Sequence, residues 1–348
     1  MPNKLNCETQ LFCPCPDCEY YQKTDNKITK YGFYTTKRDK QPRQLFYCHG
    51  GKPRFSETRY SELFDQGGSF QEYEQVAKLS SHGLSSEIIA DVLNRDTRTI
   101  DNWLSAMGKK SEKFHSFICL TGGLKLAFLQ LDELWSYFQA KYRKLWVFIG
   151  LESDTKFWIH FELGSRTRQT ASRLVEKIRL FGDFSKKRVL RVTTDKLMAY
   201  TRVLAEIFFD IPYRYLQIVK KRVHMRLITV NKAFVKGTSR SFPQKNQKTQ
   251  NTSYIERFNL TLRQHVGYLQ RNTLGYCKKR VNFNRILWIN LYNYNYIQFH
   301  KGLRQKLSNN VNKFKKRYQH STPAMKMALT SGPLSWRFLW TVPIPVTP

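Results

Sequence analysis

Three carboxylates of the 348-residue chain, Asp132, Asp195 and Glu256, have the types and settings for phosphodiester chemistry. Asp132 closes the apolar run LAFLQL and Asp195 closes RVLRVTT, so each is expected at the end of a buried strand. A carboxylate there is costly unless it is paired, hydrogen-bonded or bound to a metal. Glu256 is the only acidic side chain from Ile211 to Pro348, a stretch that carries KKR at 220–222, CKKR at 277–280 and KFKKR at 313–317. Mg²⁺ prefers oxygen ligands and keeps several waters, so two or three carboxylates suffice to hold a pair of ions, with Mn²⁺ as a substitute. Such a pair can activate a water or a 3′-hydroxyl and stabilise the leaving oxygen of an in-line displacement. Asp132 is expected to bridge both ions, with Asp195 and Glu256 each completing one side.

The elements that must position these groups read as α/β. The runs 125–138, 144–152 and 156–163 are predicted strands, a helix is predicted over 170–181, and 187–195 is a further strand ending at Asp195. Three antiparallel strands, a helix and another strand suit a ribonuclease H-like sheet, and 125–305 is taken as the catalytic domain. Glu256 falls in a predicted helix over 252–269. Ile255, Phe258 and Leu262 line one stripe of it, and Glu256, Asn259 and Arg263 another. Arg263, two turns beyond Glu256, is placed to meet a DNA phosphate. Glu133 adjoins Asp132 but should point to the opposite face of the strand, in a structural or supporting role. The acid-free stretch 219–250 is expected to be an irregular polyanion-binding connection, and 306–348 a basic tail.

Charge points to the partner. With 59 Lys and Arg against 26 Asp and Glu, the chain carries +33 and favours a polyanion, above all nucleic acid. No apolar run is long enough to span a bilayer and the first residues lack a signal-peptide core, so a cytoplasmic, nucleoid-associated protein without a membrane partner is expected. Five of the seven cysteines, Cys7, Cys13, Cys15, Cys18 and Cys48, fall in residues 1–60. In that compartment a Zn²⁺ site is favoured over disulfides, in a zinc-ribbon layout held by Cys13, Cys18 and Cys48, with Cys15, Cys7 or His49 as the fourth ligand. Residues 70–110 read as short amphipathic helices, in order 70–83, one from the Ser85–Ser86 cap with Ile88, Ile89, Val92 and Leu93 inward, and one over 97–107 capped by Thr97. The last two make a helix-turn-helix in which Arg98, Thr99, Asp101 and Asn102 face outward to read DNA. His224, His265 and His300 are read as polar side chains, Tyr200 as a packed ring and Cys277 as a plain thiol. Tyr292, Tyr294 and Tyr296 fit either core packing or stacking on DNA.

The segments LDELWSYFQAK, TTDKLMAY and YIERFNLTLRQ, followed by RNTLGYCKK and YNYNYIQFHKGLR, resemble the insertion-sequence-one (IS1-like) family of bacterial transposases. CPCPDC at 13–18, FSETR at 55–59 and TPAM at 322–325 fit the same group. The resemblance implies a zinc ribbon and helix-turn-helix for end recognition and a ribonuclease H-like catalytic domain with Asp132, Asp195 and Glu256 as its carboxylates. It implies a phosphate contact at Arg263 and supporting roles for Arg257 and Asn259. The chain departs from the family at Gly51, where a cysteine is usual. The expected activity is DNA strand cleavage and transfer on terminal inverted repeats and target DNA, by a homodimer or larger assembly. A non-catalytic DNA-binding regulator or decayed transposase, and a metal-dependent nuclease without strand joining, are the rivals.

Overall fold

The computed structural model describes residues 13, 15, 17–21, 28–35, 42–51, 54–56, 59, 63–64, 66–185, 188–223, 226–242, 250–270, 275–307, 318–342 and 344. Near the N-terminus β1 (Ile28–Tyr34), β2 (Arg43–Cys48) and β3 (Arg54–Ser56) form an antiparallel sheet in that order. Cys13, Cys18, Phe46, Cys48 and Phe55 make its small core.

Three helices follow. Helix α1 (Phe70–Ser81) begins at a capping box in which Ser69 and Glu72 satisfy each other's backbone N–H groups. Helix α2 (Ser86–Leu93) is capped by Ser85 and ends at Asn94, which takes the left-handed conformation at φ 50°. Its inward stripe is Ile89 with Leu93, whereas Ile88 and Val92 are exposed, contrary to the sequence reading. The helix turns Ile89 and Ala90 toward α1 and α3, and Ile88 and Val92 fall on its solvent side. Helix α3 (Thr97–Gly122) is capped by Asp96, not Thr97, through a carboxylate that accepts the Arg98 N–H at 2.8 Å. It also runs far past Met107, because Phe114, Ile118 and Cys119 continue its buried stripe.

The central element is a six-stranded mixed sheet. In chain order come β4 (Phe128–Phe138), β5 (Ala140–Glu152), β6 (Phe157–Gly164), α4 (Arg168–Phe181), β7 (Leu190–Asp195), α5 (Met198–Ile207), β8 (Tyr213–Val223) and β9 (Arg226–Lys236). The spatial order is β6-β5-β4-β7-β8-β9, with β7 parallel to both neighbours and all other pairs antiparallel. The fold is therefore mixed α/β. Much of the stretch expected to be an irregular connection is instead the β8–β9 hairpin, in which β8 buries Tyr213, Tyr215, Leu216 and Ile218 while the described side chains of β9 are exposed apart from half-buried Phe234. Residues 243–249 of that stretch lie outside the described residues.

Helix α6 (Ser253–His265) packs on β4, and α7 (Arg280–Tyr292) packs on α3. Gly108 of α3 marks that crossing: a Cβ there would lie 2.6 Å from the Arg285 Cβ, so the two backbones meet where no side chain fits. The expected basic tail contributes to the core as well. After α8 (Pro323–Lys326), α9 (Trp336–Thr341) buries Trp336, Phe338, Leu339 and Trp340, while 308–317 lie outside the described residues. One apolar cluster runs from Leu63 to Val342 and includes α1, α3, the sheet and α7. Tyr292, Tyr294 and Tyr296 belong to it, which settles their choice between packing and stacking. No described helix is long and apolar enough to cross a membrane.

Candidate functional site

The site is built on a difference in strand length. Strand β7 has six residues, whereas its neighbours β4 and β8 each have eleven. Register pairs Thr194 with Leu131 on one side and Asp195 with Ile218 on the other, and there β7 stops. Beyond Asp195 the backbone leaves for α5, and a gap one strand wide opens between the continuing ends of β4 and β8. A cavity of about 710 Å³ fills this gap, lined by Asp132, Glu133, Trp135, Trp146, Arg166, Asp195, Lys196, Lys220, Glu256, Asn259 and Arg263 among others. Asp132 is thus not at the end of its strand, as the sequence suggested, but in its middle, opposite Ile149 of β5. What ends beside it is β7.

Helix α6 is tied to β4 just ahead of this point. Buried Gln130 accepts the Ile255 N–H at 2.9 Å and donates to the Asn251 carbonyl at 2.8 Å, which fixes the first turn of α6 two residues before Asp132. One turn along, the Asn259 amide donates to Asp132 Oδ2 at 2.6 Å. Ile255, Phe258 and Leu262 are buried as the stripe predicted, while Glu256 and Arg257 are exposed. Glu256 faces the cavity with its carboxylate on Lys220 of β8 and on the Thr252 hydroxyl. Arg263 lines the same wall and donates to the Leu269 carbonyl at 3.0 Å.

Carboxylate oxygens of Asp132, Glu133 and Asp195 lie within 4.8 Å of one another. Glu133 does reach the opposite face, where its Oε1 accepts from Arg166 Nε at 3.0 Å and its Oε2 from the Tyr200 hydroxyl at 3.5 Å. It still meets Asp195, because past the end of β7 no backbone separates the two faces. The sequence reading underrated Glu133 for this reason, and two adjacent acids in an apolar strand were the available signal. Burial, followed by the charges of Asp195 and Glu133, pushes the Asp132 carboxyl up to about 8. Burial and the charge of Asp195 push Glu133 up to about 7 against the pull of Arg166. Burial also raises Asp195, opposed by Arg166, a backbone N–H of Leu197 and Lys220.

These residues fit a hard divalent cation. Asp195 Oδ1 and Asn259 Oδ1 are buried oxygens without a hydrogen-bond partner, and the groups in the cavity able to ligate a cation, the four carboxylates and the Asn259 side-chain carbonyl, offer oxygen. The neutral alternative, protonated acids, is what the raised values describe in the absence of a cation. Glu256 lines the cavity but does not fall within the tight acidic group.

A second donor set sits in the small N-terminal sheet. The sulfurs of Cys13, Cys18 and Cys48 lie within 4.8 Å of one another, and Cys18 Sγ is 3.8 Å from Cys48 Sγ. Thiolates on a tetrahedral zinc with bonds of about 2.3 Å stand ~3.8 Å apart, so the geometry fits zinc. Burial pushes the Cys13 thiol up to about 12. At Cys48, burial is outweighed by the backbone N–H groups of Gly51 and Gly50, and the thiol falls below its usual value. Gly51 thus serves this sulfur through its backbone. Among the expected fourth ligands, His49 turns to the Thr29 hydroxyl at 3.1 Å, Cys15 is outside the group, and Cys7 lies outside the described residues.

Of the outward residues on α3, Arg98 and Asn102 are exposed and Thr99 is half-buried. Asp101 instead faces inward to Arg285 of α7, at 2.5 Å, because α3 is docked on α7 along this edge. His265 contacts the Ser81 carbonyl at 2.8 Å and His300 the Tyr294 carbonyl at 3.1 Å, both away from the cavity, and His224 lies outside the described residues. Tyr200 is fully buried with its hydroxyl on Glu133, and Cys277 is buried beside the Lys279 carbonyl.

Residues 125–243, spanning β4 to β9, match the family described as IS1 transposase. The match stops short of α6 and therefore of Glu256 and Arg263. No curated protein matches the chain. Among solved structures, the crystal structure of the Mos1 strand transfer complex is similar at 13% identity and a TM-score of 0.20, covering 43% of this chain and 59% of that one. The chain thus spans less than two thirds of that relative's length, and a likeness this distant identifies neither fold nor function.

Proposed function

We propose that the chain is a DNA transposase with a ribonuclease H-like catalytic domain over residues 125–305, a zinc-ribbon-like module over 1–60 and a helix-turn-helix over 70–110. The observation that carries this reading is the gap beyond β7, where Asp132, Asp195 and Glu256 face one cavity rimmed by Lys196, Lys220 and Arg263. Acids at the floor and cations at the rim suit a phosphodiester held over divalent metal. Asp132, Asp195 and Glu256 would hold Mg²⁺ or Mn²⁺, and bound ions supply an activated hydroxyl and neutralise charge on the leaving oxygen.

The protein's own residues do the positioning. Asn259 fixes the Asp132 carboxylate through its amide, and Lys220 with Thr252 steadies Glu256. Arg263 on the cavity wall and exposed Arg257 hold backbone phosphates of the DNA. Arg98, Thr99 and Asn102, in the first turns of α3, meet the terminal inverted repeats, and Cys13, Cys18 and Cys48 hold a structural Zn²⁺ that stiffens the ribbon. Synapsis of two element ends and a target calls for a homodimer or larger assembly, acting in the cytoplasm on the nucleoid.

The test is purified protein with duplex carrying the inverted repeats that flank its coding region, in Mg²⁺ or EDTA. Metal-dependent strand joining by the wild type, lost in Glu256→Gln, is expected. Joining at the wild-type rate in that variant refutes the third ligand. Cutting without joining identifies a nuclease, and binding alone a regulator.

A further inference from the structure

We infer that Trp135 and Trp146 form a stacking platform for one unpaired nucleobase beside the scissile phosphate, an inference that rests on the nucleic-acid reading of the cavity. Five of the chain's seven tryptophans, Trp103, Trp158, Trp288, Trp336 and Trp340, are at most 2% exposed. Trp135 and Trp146 are the exceptions: they are directly opposite each other on β4 and β5 and line the cavity wall, half-buried. Cations lie over both rings. Lys144 Nζ is 5.0 Å from the centroid of Trp135, and the Arg166 guanidinium is 4.8 Å from that of Trp146. Arg166 is kept in place by Glu133, whose side chain is only 2% exposed.

Aromatic faces beside cations are what a nucleotide requires, a π-surface for the base and positive charge for its phosphate. Trp135 stands two residues beyond Glu133 on the same face of β4, ~7 Å along the strand, and lines the same cavity as the acids, within reach of the nucleotide next to a phosphate held there. The gap left by one missing strand is only ~10 Å across, too narrow to admit a duplex, whose major groove alone is ~12 Å wide, so the occupant is a single unpaired base. Lys144 is exposed, so its side chain can turn from the Trp135 ring to the phosphate and leave that ring to the base, while Arg166 caps Trp146.

The test uses the full chain in EDTA, which removes catalysis, and a short fluorescein-labelled duplex, either fully paired or with one bulged thymine. The wild type is expected to bind the bulged duplex about tenfold tighter and to show stronger quenching of tryptophan emission with it. Trp135→Phe retains the preference, and Trp135→Ala loses it while binding the paired duplex as before. Equal affinity and equal quenching for the two probes in the wild type overturn the proposal, whatever the variants do. So does an undiminished preference in Trp135→Ala. Failure of strand joining in Mg²⁺ with the bulge preference intact would instead sink the transposase reading and leave the platform standing.

Discussion

Replacing Asp132 by asparagine should stabilise the metal-free protein while abolishing its chemistry. The folded chain holds the Asp132 carboxyl at about 8, against an ordinary 3.8, through burial and then the charges of Asp195 and Glu133. Between those values the folded state keeps a proton that the unfolded state releases. Stability from this group is therefore present in full below the ordinary value and is lost as pH rises toward the folded one. At about pH 7 the loss spans roughly three units, at most ~4 kcal/mol, and water in the cavity reduces it to on the order of 2. Asparagine has no proton to lose, and its side-chain oxygen can still accept from the Asn259 amide. Thermal unfolding in EDTA near pH 7 should show a Tm several degrees higher for the variant. The advantage should fade toward about pH 4, and millimolar Mg²⁺ should raise the wild-type Tm alone. A variant no more stable than wild type near pH 7 in EDTA, or an advantage independent of pH, would refute the placement of Asp132 in an electrostatically crowded gap.

Acid should destabilise the fold through its buried imidazoles: burial depresses His115 to about 3 and His300 to about 4, so both are neutral when folded. Their stabilisation is whole above the ordinary 6.5 and is lost as pH falls through the window down to those values, by ~1.4 kcal/mol per unit for each. Urea midpoints at about pH 7 and about pH 5 should therefore diverge, less so in His115→Gln; an unchanged pH response in that variant contradicts the assignment. Cys48→Ser should lower the zinc content of purified protein measured by plasma mass spectrometry, and equal zinc in both proteins would remove the ribbon site. Trp103, 1% exposed, stacks edge-on against Tyr73 at 4.7 Å and donates to the Gln66 carbonyl, so Trp103→Ala should cost about 3–5 kcal/mol by chemical denaturation. A cost below about 1 kcal/mol would show that α1 and α3 are held together by other contacts.

Periodicity carried much of the fold. The three strands before α4, α4 itself, β7 ending at Asp195 and the buried stripe of α6 were all legible, because each alternates or repeats with the period of one element type. What pattern could not give was relative length. The apolar part of the run 125–138 ends at Asp132, yet β4 continues past it to Phe138, paired with β5, since backbone hydrogen bonding asks nothing of side-chain polarity. That misreading hid the gap, and with it the approach of Glu133 to Asp195 across two faces of the sheet. Charge misled in the C-terminal regions: the density of Lys and Arg in 219–250 and 306–348 suggested loop and tail, but β8 and β9 pair through their backbones and WRFLW buries most of its side chains. The pairing of Asp101 with Arg285 was out of reach for a different reason, since it joins residues far apart in sequence whose meeting depends on the close crossing at Gly108.

That crossing has a mechanical meaning. Helix α3 is one uninterrupted rod of 26 residues, ~39 Å long at 1.5 Å per residue, with its first turns pinned to α7 by Asp101 and its far half embedded beside the sheet. Whatever its leading end grips is held at a set separation from the acids, without a hinge between grip and blade. On the function proposed above, the rod would act as a gauge: shortening or kinking it within the helix should shift where along a bound strand the cut falls before it weakens the grip.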